Sequence, residues 1–333
     1  MRELAPGDSV RHDQGIQMNS VKPVTPLEQE LPNAEVSPWL SVTEREEMSE
    51  EEFASSYRDS CRPVLLRGRC ANWSACWRWS PSYFYDTAPN INVPVKTYSD
   101  TGKIVVASWP LRDYARFIIE RSHRNYKPEL ETGSIPYCHD IPLLGLVESL
   151  AEDCRPFPTT FLSLWYRRHW WRYSQFFMGP AGTVTPLHFD TLLTHNLFFQ
   201  IYGTKQFTVL PHDQARYCGR RGWRWFDLNP ERPDYTRFPE YRRATPIVLT
   251  VKAGDIFYMP PGTLHHVRSL EPSISFNIDF HTRSSVLKAL TRCVRGMPAK
   301  SVYYNAVVAL SVVGKIPEAV TFPFYRPYLS YVS

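Results

Sequence analysis

The sequence predicts a mainly β fold, an antiparallel sandwich or barrel with helices before and after it in the chain. Aromatic residues make up 14% of the 333 residues and there are 29 prolines, which suits sheets and turns better than long helices. After Phe161, short apolar or alternating runs are separated by Gly, Pro, Asn and Asp, as in antiparallel β proteins. Before residue 130 and beyond Thr282, apolar residues recur at helical spacing.

The composition excludes several classes of protein. Apolar residues at 43% and charged residues at 21% are typical of a folded globular chain, so a wholly disordered or fibrous protein is excluded. The net charge of +5 is too mild for a basic DNA-binding composition, although it favours anionic ligands. The longest late apolar stretch, residues 303–313, is too short to span a bilayer, and we expect no membrane association.

The seven cysteines are odd in number and contain no CxxC pair. This pattern indicates neither a disulfide framework nor a zinc ribbon. We interpret the cysteines as reduced thiols and expect a cytoplasmic protein, with a nuclear location left open.

Local signals predict four regions. They are a flexible leader at 1–36, a mixed N-terminal region at 37–130 that packs on the barrel, the functional β region at 131–282, and a helical C-terminal cap at 283–333. Within them, capping-box patterns, a β-branched run, a Ser-Pro helix start and helical spacing mark individual elements. The predicted elements are two overlapping capping boxes (Thr43 with Glu46, Ser49 with Glu52), a helix over 49–59, a strand over 62–67, a helix starting at Ser80-Pro81, a helix over 109–119, and helical segments around 286–290 and 302–313.

Two segments of the β region carry candidate metal ligands. In GTVTPLHFD, His188 and Asp190 are two residues apart and share one face of a strand. Such a pair also occurs by chance on the polar face of an ordinary strand. The later segment GDIFYMPPGTLHHV adds His265 and His266. Two histidines and one carboxylate form the facial triad of non-haem iron(II), while zinc hydrolysis is a competing use of the same ligands.

A lysine in the β region favours an anionic ligand. The segment NLFFQIYGTKQFTVL (196–210) is interpreted as two strands joined at Gly203-Thr204 by a two-residue hairpin. Opposed residues share a face, so Lys205 would lie with the aromatic Tyr202 and Phe198. A lysine in such surroundings needs an anionic partner. The alternative is an ordinary solvated lysine beside a turn.

Taken together, TPLHFD, NLFFQIYGTKQFTVLP, AGDIFYMPPGTLHHV and SISFNID resemble the JmjC (cupin-type) family of iron(II)- and 2-oxoglutarate-dependent oxygenases. The resemblance covers about residues 130–282. It implies a double-stranded β-helix, or jelly roll, with helices packed on its N-terminal side. It also implies iron(II) as the metal and 2-oxoglutarate as the cosubstrate.

The resemblance implies a role for eight residues. The iron ligands would be His188, Asp190 and one of His265 or His266. The residues around 2-oxoglutarate would be Lys205 at its distal carboxylate, Thr185 and Tyr137 beside that lysine, and Asn196 and Asn277 near the metal-proximal carboxylate.

The third ligand is not determined by strand periodicity. If 265–269 and 273–279 form a hairpin, a three-residue loop places His265 opposite Asn277, whereas a two-residue loop places His266 there. In the family the ligand usually comes first in such a pair, and on that resemblance we predict His265.

The resemblance implies a hydroxylase that oxidises an unactivated C–H bond. We predict a protein or peptide side chain as its substrate, because aromatic residues of the segment WYRRHWWRY (165–173) are expected to rim an open barrel mouth. A small molecule, an RNA base, lysine demethylation and a non-catalytic binding module are the alternatives. The apolar stripe within 301–313 is expected to pack on the barrel or to form a homodimer.

Overall fold

Two antiparallel sheets face each other and form the body of the protein. The computed structural model describes residues 39–98, 104–123 and 135–329, so the predicted leader at 1–36 lies outside the described residues. The larger sheet has the strand order β1-β2-β13-β8-β15-β6-β5-β3-β4 and the smaller one β10-β11-β7-β14-β9-β12. The strands are β1 Thr43–Arg45, β2 Val64–Leu66, β3 Asn92–Tyr98, β4 Ile104–Pro110, β5 Tyr137–Ile141, β6 Ser174–Gly179, β7 Val184–His188, β8 His195–Tyr202, β9 Thr204–Leu210, β10 Arg220–Arg221, β11 Trp225–Phe226, β12 Ile247–Lys252, β13 Ile256–Met259, β14 Leu264–Ser269 and β15 Ser273–Phe280.

The chain alternates between the two sheets from β6 to β9 and again from β12 to β15. This alternation is the topology of a double-stranded jelly roll. The predicted fold class, mainly β with flanking helices, is therefore confirmed. The predicted region boundaries stay a prediction.

The predicted hairpin over 196–210 is wrong, and the hairpin considered for 265–279 does not form. Strands β8 and β9 lie in different sheets, and so do β14 and β15, so Lys205 is not a cross-strand partner of Tyr202. Both sheets of a jelly roll show the same apolar alternation, so the pattern of one strand does not identify its partner. Gly203, between β8 and β9, has a φ of +71°, and a Cβ there would lie 2.1 Å from the Pro272 carbonyl oxygen. Glycine is therefore required at this crossing.

Helices pack on the larger sheet and lie before and after the jelly-roll strands in the chain. Their bounds are α1 Glu50–Glu52 (continued by a π-helix, Phe53–Arg58), α2 Ser74–Arg78, α3 Pro81–Thr87, α4 Leu111–Ser122, α5 Leu143–Leu146, α6 Leu164–Arg167, α7 Arg283–Leu290, α8 Ala299–Val312 and α9 Glu318–Leu329.

Most of the predicted helix starts are confirmed. The Ser49 hydroxyl accepts from the Glu52 N–H, and the Ser80 hydroxyl accepts from the Tyr83 N–H, as N-cap residues do. The overlapping box at Thr43 is wrong, because Thr43 begins strand β1, which pairs in parallel with β2. Partner strands, rather than local capping, decide the conformation there.

The main hydrophobic core lies between the larger sheet and the helices. Phe276 of β15 belongs to it, as do Val307 and Val308 of α8 and Tyr325 of α9. The apolar stripe of α8 thus packs on the chain's own barrel. Homodimer formation through these helices stays a prediction. Over the described ranges, every helix is too short or too polar to cross a bilayer.

Candidate metal and cosubstrate site

A cleft lies between the two sheets and opens to solvent. Residues of both sheets line it, so its two walls are held by separate hydrogen-bonded ladders. All eight residues predicted from the sequence line this cleft, namely Tyr137, Thr185, His188, Asp190, Asn196, Lys205, His265 and Asn277.

The metal candidates meet at one end of the cleft. His188 ends β7 and is the direct cross-strand partner of His265 on β14, with ring centroids 4.2 Å apart. The His265 Nε2 atom lies 3.9 Å from Asp190 Oδ1. One ligand atom from each of the three residues lies within 4.8 Å of the others. Two imidazoles and one carboxylate in this arrangement fit a facial non-haem iron(II) site.

Backbone carbonyls set the tautomer of both imidazoles. His188 Nδ1 lies 2.8 Å from the Pro186 carbonyl oxygen, and His265 Nδ1 lies 3.1 Å from the Thr263 carbonyl oxygen. A carbonyl only accepts, so each neutral ring carries its proton on Nδ1 and keeps its lone pair on Nε2. Burial lowers the pKa of His188 well below its usual value, which keeps that ring neutral and able to bind a metal.

The neighbouring His266 points the other way. A bulge in β7 sets the residues between His188 and Thr185 against His266, and successive side chains of a strand alternate in direction. His266 Nδ1 lies 3.8 Å from Glu231 Oε1, outside the candidate triad. The structure therefore brings His265, not His266, to the cleft residues predicted as ligands.

The other end of the cleft holds a buried cation. The Lys205 ammonium donates to the Tyr137 hydroxyl at 3.0 Å and to the Ser275 hydroxyl at 2.8 Å, and its side chain is nearly inaccessible at 1% exposure. Its Nζ also lies 5.3 Å from the ring centre of Phe198, which reaches it from the opposite sheet. Burial lowers the pKa of Lys205 to about 7. Among the described residues, no carboxylate lies within ion-pair distance of it, so the site favours an anionic ligand.

Two asparagines stand at the metal end with unused acceptors. Asn196 Nδ2 donates to Asp190 Oδ2 at 3.1 Å, and Asn277 Nδ2 donates to Asp279 Oδ1 at 2.9 Å. The Oδ1 atoms of both amides are buried without a hydrogen-bond partner. Buried acceptors of this kind normally have a donor, so they fit a site that receives further polar ligands.

Sequence reasoning missed several residues of the cleft. Asp279 follows Asn277 by two positions on β15, and that same-face spacing could have identified it. Its pKa is raised well above the usual value by burial and by the nearby Asp190 carboxylate. Ser275, which does not line the cleft but accepts from Lys205, precedes Asn277 by two positions and gave the same signal. Trp225, which stacks on His188 at 4.9 Å, had no signal in the sequence because its strand has only two residues.

The predicted aromatic rim is wrong. Trp165, Tyr166 and Trp170 are buried in the main core, and Trp170 stacks on Phe276. Phe276 and the cleft residue Asn277 are neighbours on one strand, so they point to opposite faces of the sheet. The aromatic segment therefore packs on the face away from the cleft. Arg224, Trp225 and Tyr328 lie along the cleft instead.

Comparison with known proteins identifies a family. A family model described as cupin-like domain matches residues 49–285. The chain is 28% identical over 255 residues to lysine-specific demethylase JMJ30 of Arabidopsis thaliana, covering 70% of this chain and 53% of that protein. It is 26% identical over 289 residues to Jumonji C domain-containing protein 5 of Drosophila melanogaster, covering 80% and 66%.

A third relative carries a description of its chemistry. The chain is 28% identical over 197 residues to 2-oxoglutarate and iron-dependent oxygenase JMJD4 of Gallus gallus, covering 57% of this chain and 44% of that protein. The chain thus spans about half to two thirds of the length of these relatives. The family match covers most of the described β region and the helices before it, and the chain therefore belongs to the cupin-like domain family, with JmjC proteins among its relatives.

Proposed function

We propose that this chain is an iron(II)- and 2-oxoglutarate-dependent oxygenase that hydroxylates a C–H bond in a protein or peptide side chain. The observation that carries this proposal is the buried Lys205 ammonium at one end of a cleft that has a His-Asp-His cluster at the other. A zinc hydrolase needs the metal ligands but has no use for a buried cation aimed at a second ligand. One cleft that presents both features suits a metal and an anionic cosubstrate together.

The residues have separate tasks in this proposal. His188, Asp190 and His265 hold iron(II), and their Nε2 and carboxylate atoms already converge. Lys205 binds the distal carboxylate of 2-oxoglutarate, with Tyr137 and Ser275 holding the ammonium in place. When bound, iron(II) supplies the redox chemistry that couples the conversion of 2-oxoglutarate and O₂ into succinate and CO₂ to the insertion of one oxygen atom into the substrate.

The remaining cleft residues orient ligands and exclude water. Asn196 and Asn277 present their free amide oxygens near the metal end, and Thr185 lines the wall between the two ends. Phe177 and Phe198 pack around the Lys205 ammonium, so the ion pair with the cosubstrate forms in a medium of low dielectric and is strengthened there.

The test measures succinate release by the purified full chain with iron(II), 2-oxoglutarate and ascorbate. His265→Ala and His266→Ala form a matched pair, because the two residues are adjacent but only His265 meets the cluster. We expect His265→Ala to lose bound iron and succinate release, and His266→Ala to keep its iron. Zinc occupancy without 2-oxoglutarate affinity would support a hydrolase, and binding of neither ligand would support a non-catalytic module.

The relatives' names favour one second candidate, lysine demethylation. The two reactions differ in their products, since hydroxylation leaves the oxygen atom on the substrate whereas demethylation releases formaldehyde. Incubation with separated protein, RNA and metabolite fractions, followed by mass spectrometry, identifies both the substrate class and the product. A response limited to RNA or metabolites would contradict the proposed substrate class and leave the oxygenase proposal standing.

A further inference from the structure

Three cysteine thiols lie near one another in the main hydrophobic core. Cys70 follows β2, Cys76 lies in α2, and Cys154 ends the 3₁₀-helix Glu148–Cys154. The Cys76 thiol donates to the Cys70 carbonyl oxygen at 3.1 Å, and the Cys70 thiol donates to the Gly254 carbonyl oxygen at 3.2 Å. The described lining of the cleft contains none of the three cysteines, so they form a site separate from the candidate metal centre.

Two successive turns fold Cys76 back onto Cys70. The Cys70 carbonyl oxygen accepts from the Trp73 N–H at 3.0 Å as well as from the Cys76 thiol. The Trp73 carbonyl oxygen in turn accepts from the Cys76 N–H at 3.0 Å. The Cys76 sulfur therefore lies against the residue to which a disulfide would join it, as the short reach of a disulfide requires.

The thiols differ in exposure and in acidity. Cys70 and Cys154 are fully buried, whereas Cys76 is partly exposed, so a small oxidant can reach it. A hydrogen bond from the Cys70 thiol lowers the pKa of Cys76, and the same bond together with burial raises the pKa of Cys70. Because the thiolate is the reactive form of cysteine, Cys76 is the thiol that an oxidant attacks first.

We propose that Cys70 and Cys76 form a thiol pair that a hydroperoxide converts into a disulfide. The Cys76 thiolate attacks the O–O bond of hydrogen peroxide, which leaves a sulfenic acid on Cys76 and releases hydroxide that takes up a proton. The Cys70 thiol then attacks the sulfenic sulfur, the S–O bond breaks, and the released hydroxide takes the Cys70 proton. Two thiols and one peroxide thus give one disulfide and two waters.

The experiment treats the reduced full chain with hydrogen peroxide, blocks the remaining thiols with N-ethylmaleimide and analyses a tryptic digest by mass spectrometry. No iron is added, because iron(II) itself reacts with peroxide. Cleavage after Arg69 and Arg78 leaves both cysteines in one peptide, 70–78. We expect this peptide to lose two hydrogen atoms, to take up no maleimide and to recover both thiols with dithiothreitol. The disulfide should form at least about tenfold faster than the exposed Cys293 is oxidised.

Three variants separate the roles of the thiols. Cys70→Ser removes the second thiol, so Cys76 should continue to the sulfinic acid, which dithiothreitol does not reduce. Cys76→Ser should leave Cys70 reduced at the same peroxide concentration. Because Cys76 is partly exposed, this second variant tests the pair even if Cys70→Ser fails to fold. Cys293→Ser is the matched control and should leave the yield of disulfide unchanged.

Three results would overturn the proposal. They are a peptide 70–78 that keeps both thiols at a peroxide concentration that oxidises Cys293, a sulfinic acid at Cys76 of the unsubstituted chain with no disulfide, and a disulfide that joins Cys76 to Cys154 instead of Cys70. The outcome is independent of the proposed oxygenase activity, because the measurement uses neither iron nor 2-oxoglutarate.

Discussion

A substitution of the single residue Lys205 should affect cosubstrate binding and folding stability in different ways. Its ammonium is buried with two hydroxyl partners, so Lys205→Met removes a desolvated charge and should leave the free energy of unfolding unchanged or higher. The same change leaves the distal carboxylate of 2-oxoglutarate without its charge partner, which should weaken binding by about 2–5 kcal/mol. Denaturant unfolding and 2-oxoglutarate titration measure the two effects. Unaltered 2-oxoglutarate affinity would show that another residue anchors the cosubstrate.

The same lysine predicts how cosubstrate affinity depends on pH. Burial lowers the pKa of Lys205 to about 7, and an anionic ligand stabilises the charged form, so binding raises this pKa. Above pH 7 the free protein must take up a proton when it binds 2-oxoglutarate. We expect affinity to fall as pH rises through 7, by up to about tenfold per pH unit. Titration calorimetry in buffers of different ionisation enthalpy measures that proton uptake, and zero uptake at pH 8 would contradict the prediction.

Among the secondary-structure elements, strand β5 carries a charged cluster beside the cleft. Its pairing with β6 shifts register between Cys138 and Ile141, and Asp140 has a φ of +59°. Asp140 Oδ2 accepts from Lys96 Nζ at 3.0 Å and from His139 Nδ1 at 2.9 Å. The Lys96 cation lowers the Asp140 pKa even though burial opposes that shift. The ion pair thus joins β3 to the irregular part of β5.

Asp140→Asn should destabilise the fold by about 3 kcal/mol, because it leaves the buried Lys96 ammonium without its counter-charge. Asparagine tolerates the left-handed backbone conformation of this position, so backbone strain should not add to the measured loss of stability. Adding Lys96→Met should recover most of the lost free energy of unfolding in urea. Glu152→Gln is the control, since its ion pair with Arg155 is exposed and should be worth at most about 1 kcal/mol. If the losses in free energy of unfolding caused by Asp140→Asn and Lys96→Met simply add, Asp140 and Lys96 are not coupled.

At the scale of the whole molecule, buried neutral histidines make stability depend on pH. His281 Nε2 lies 2.9 Å from Asn305 Oδ1 and Nδ1 lies 3.0 Å from Ser285 Oγ, and burial lowers the pKa of His281 to about 4. Between pH 6.5 and 4, the unfolded chain binds a proton that the native chain does not. Stability therefore falls as pH falls through this window, by about 1.4 kcal/mol per pH unit for each such histidine.

His281→Gln should reduce that slope by up to one proton equivalent, because glutamine keeps a polar group but does not titrate. Urea unfolding at several pH values between 4.5 and 6.5 measures the slope. His123→Gln is the control, since His123 is exposed and the slope should stay close to that of the original chain. Identical slopes in all three proteins would show that His281 does not contribute.

The fold class and the family were both predictable from the amino-acid sequence, and the same sequence named the eight residues proposed for the site, with His265 chosen over His266 only by resemblance. Such residues are predictable because metal and cosubstrate sites use few residue types, and strand alternation indicates which of them share a face. The spacing of His188 and Asp190 pointed to a shared face, whereas Lys205 was argued from a hairpin that does not form and from the resemblance. The other cosubstrate residues came from the resemblance alone. Local capping similarly predicted the helix starts at Ser49 and Ser80.

The partners of each strand are set by packing between distant segments of the chain. Strand alternation is the same whichever sheet a strand joins, so the expected β8–β9 hairpin proved to be a crossing between sheets, and Phe198 meets Lys205 from the opposite wall. The pairing of β14 with β7 places His265, rather than His266, opposite His188. Arg224 and Trp225 line the cleft, whereas the aromatic segment after Leu164 lies in the main core. Long-range packing decides which face of a sheet each segment covers. The local sequence does not indicate which face of a sheet a segment will cover.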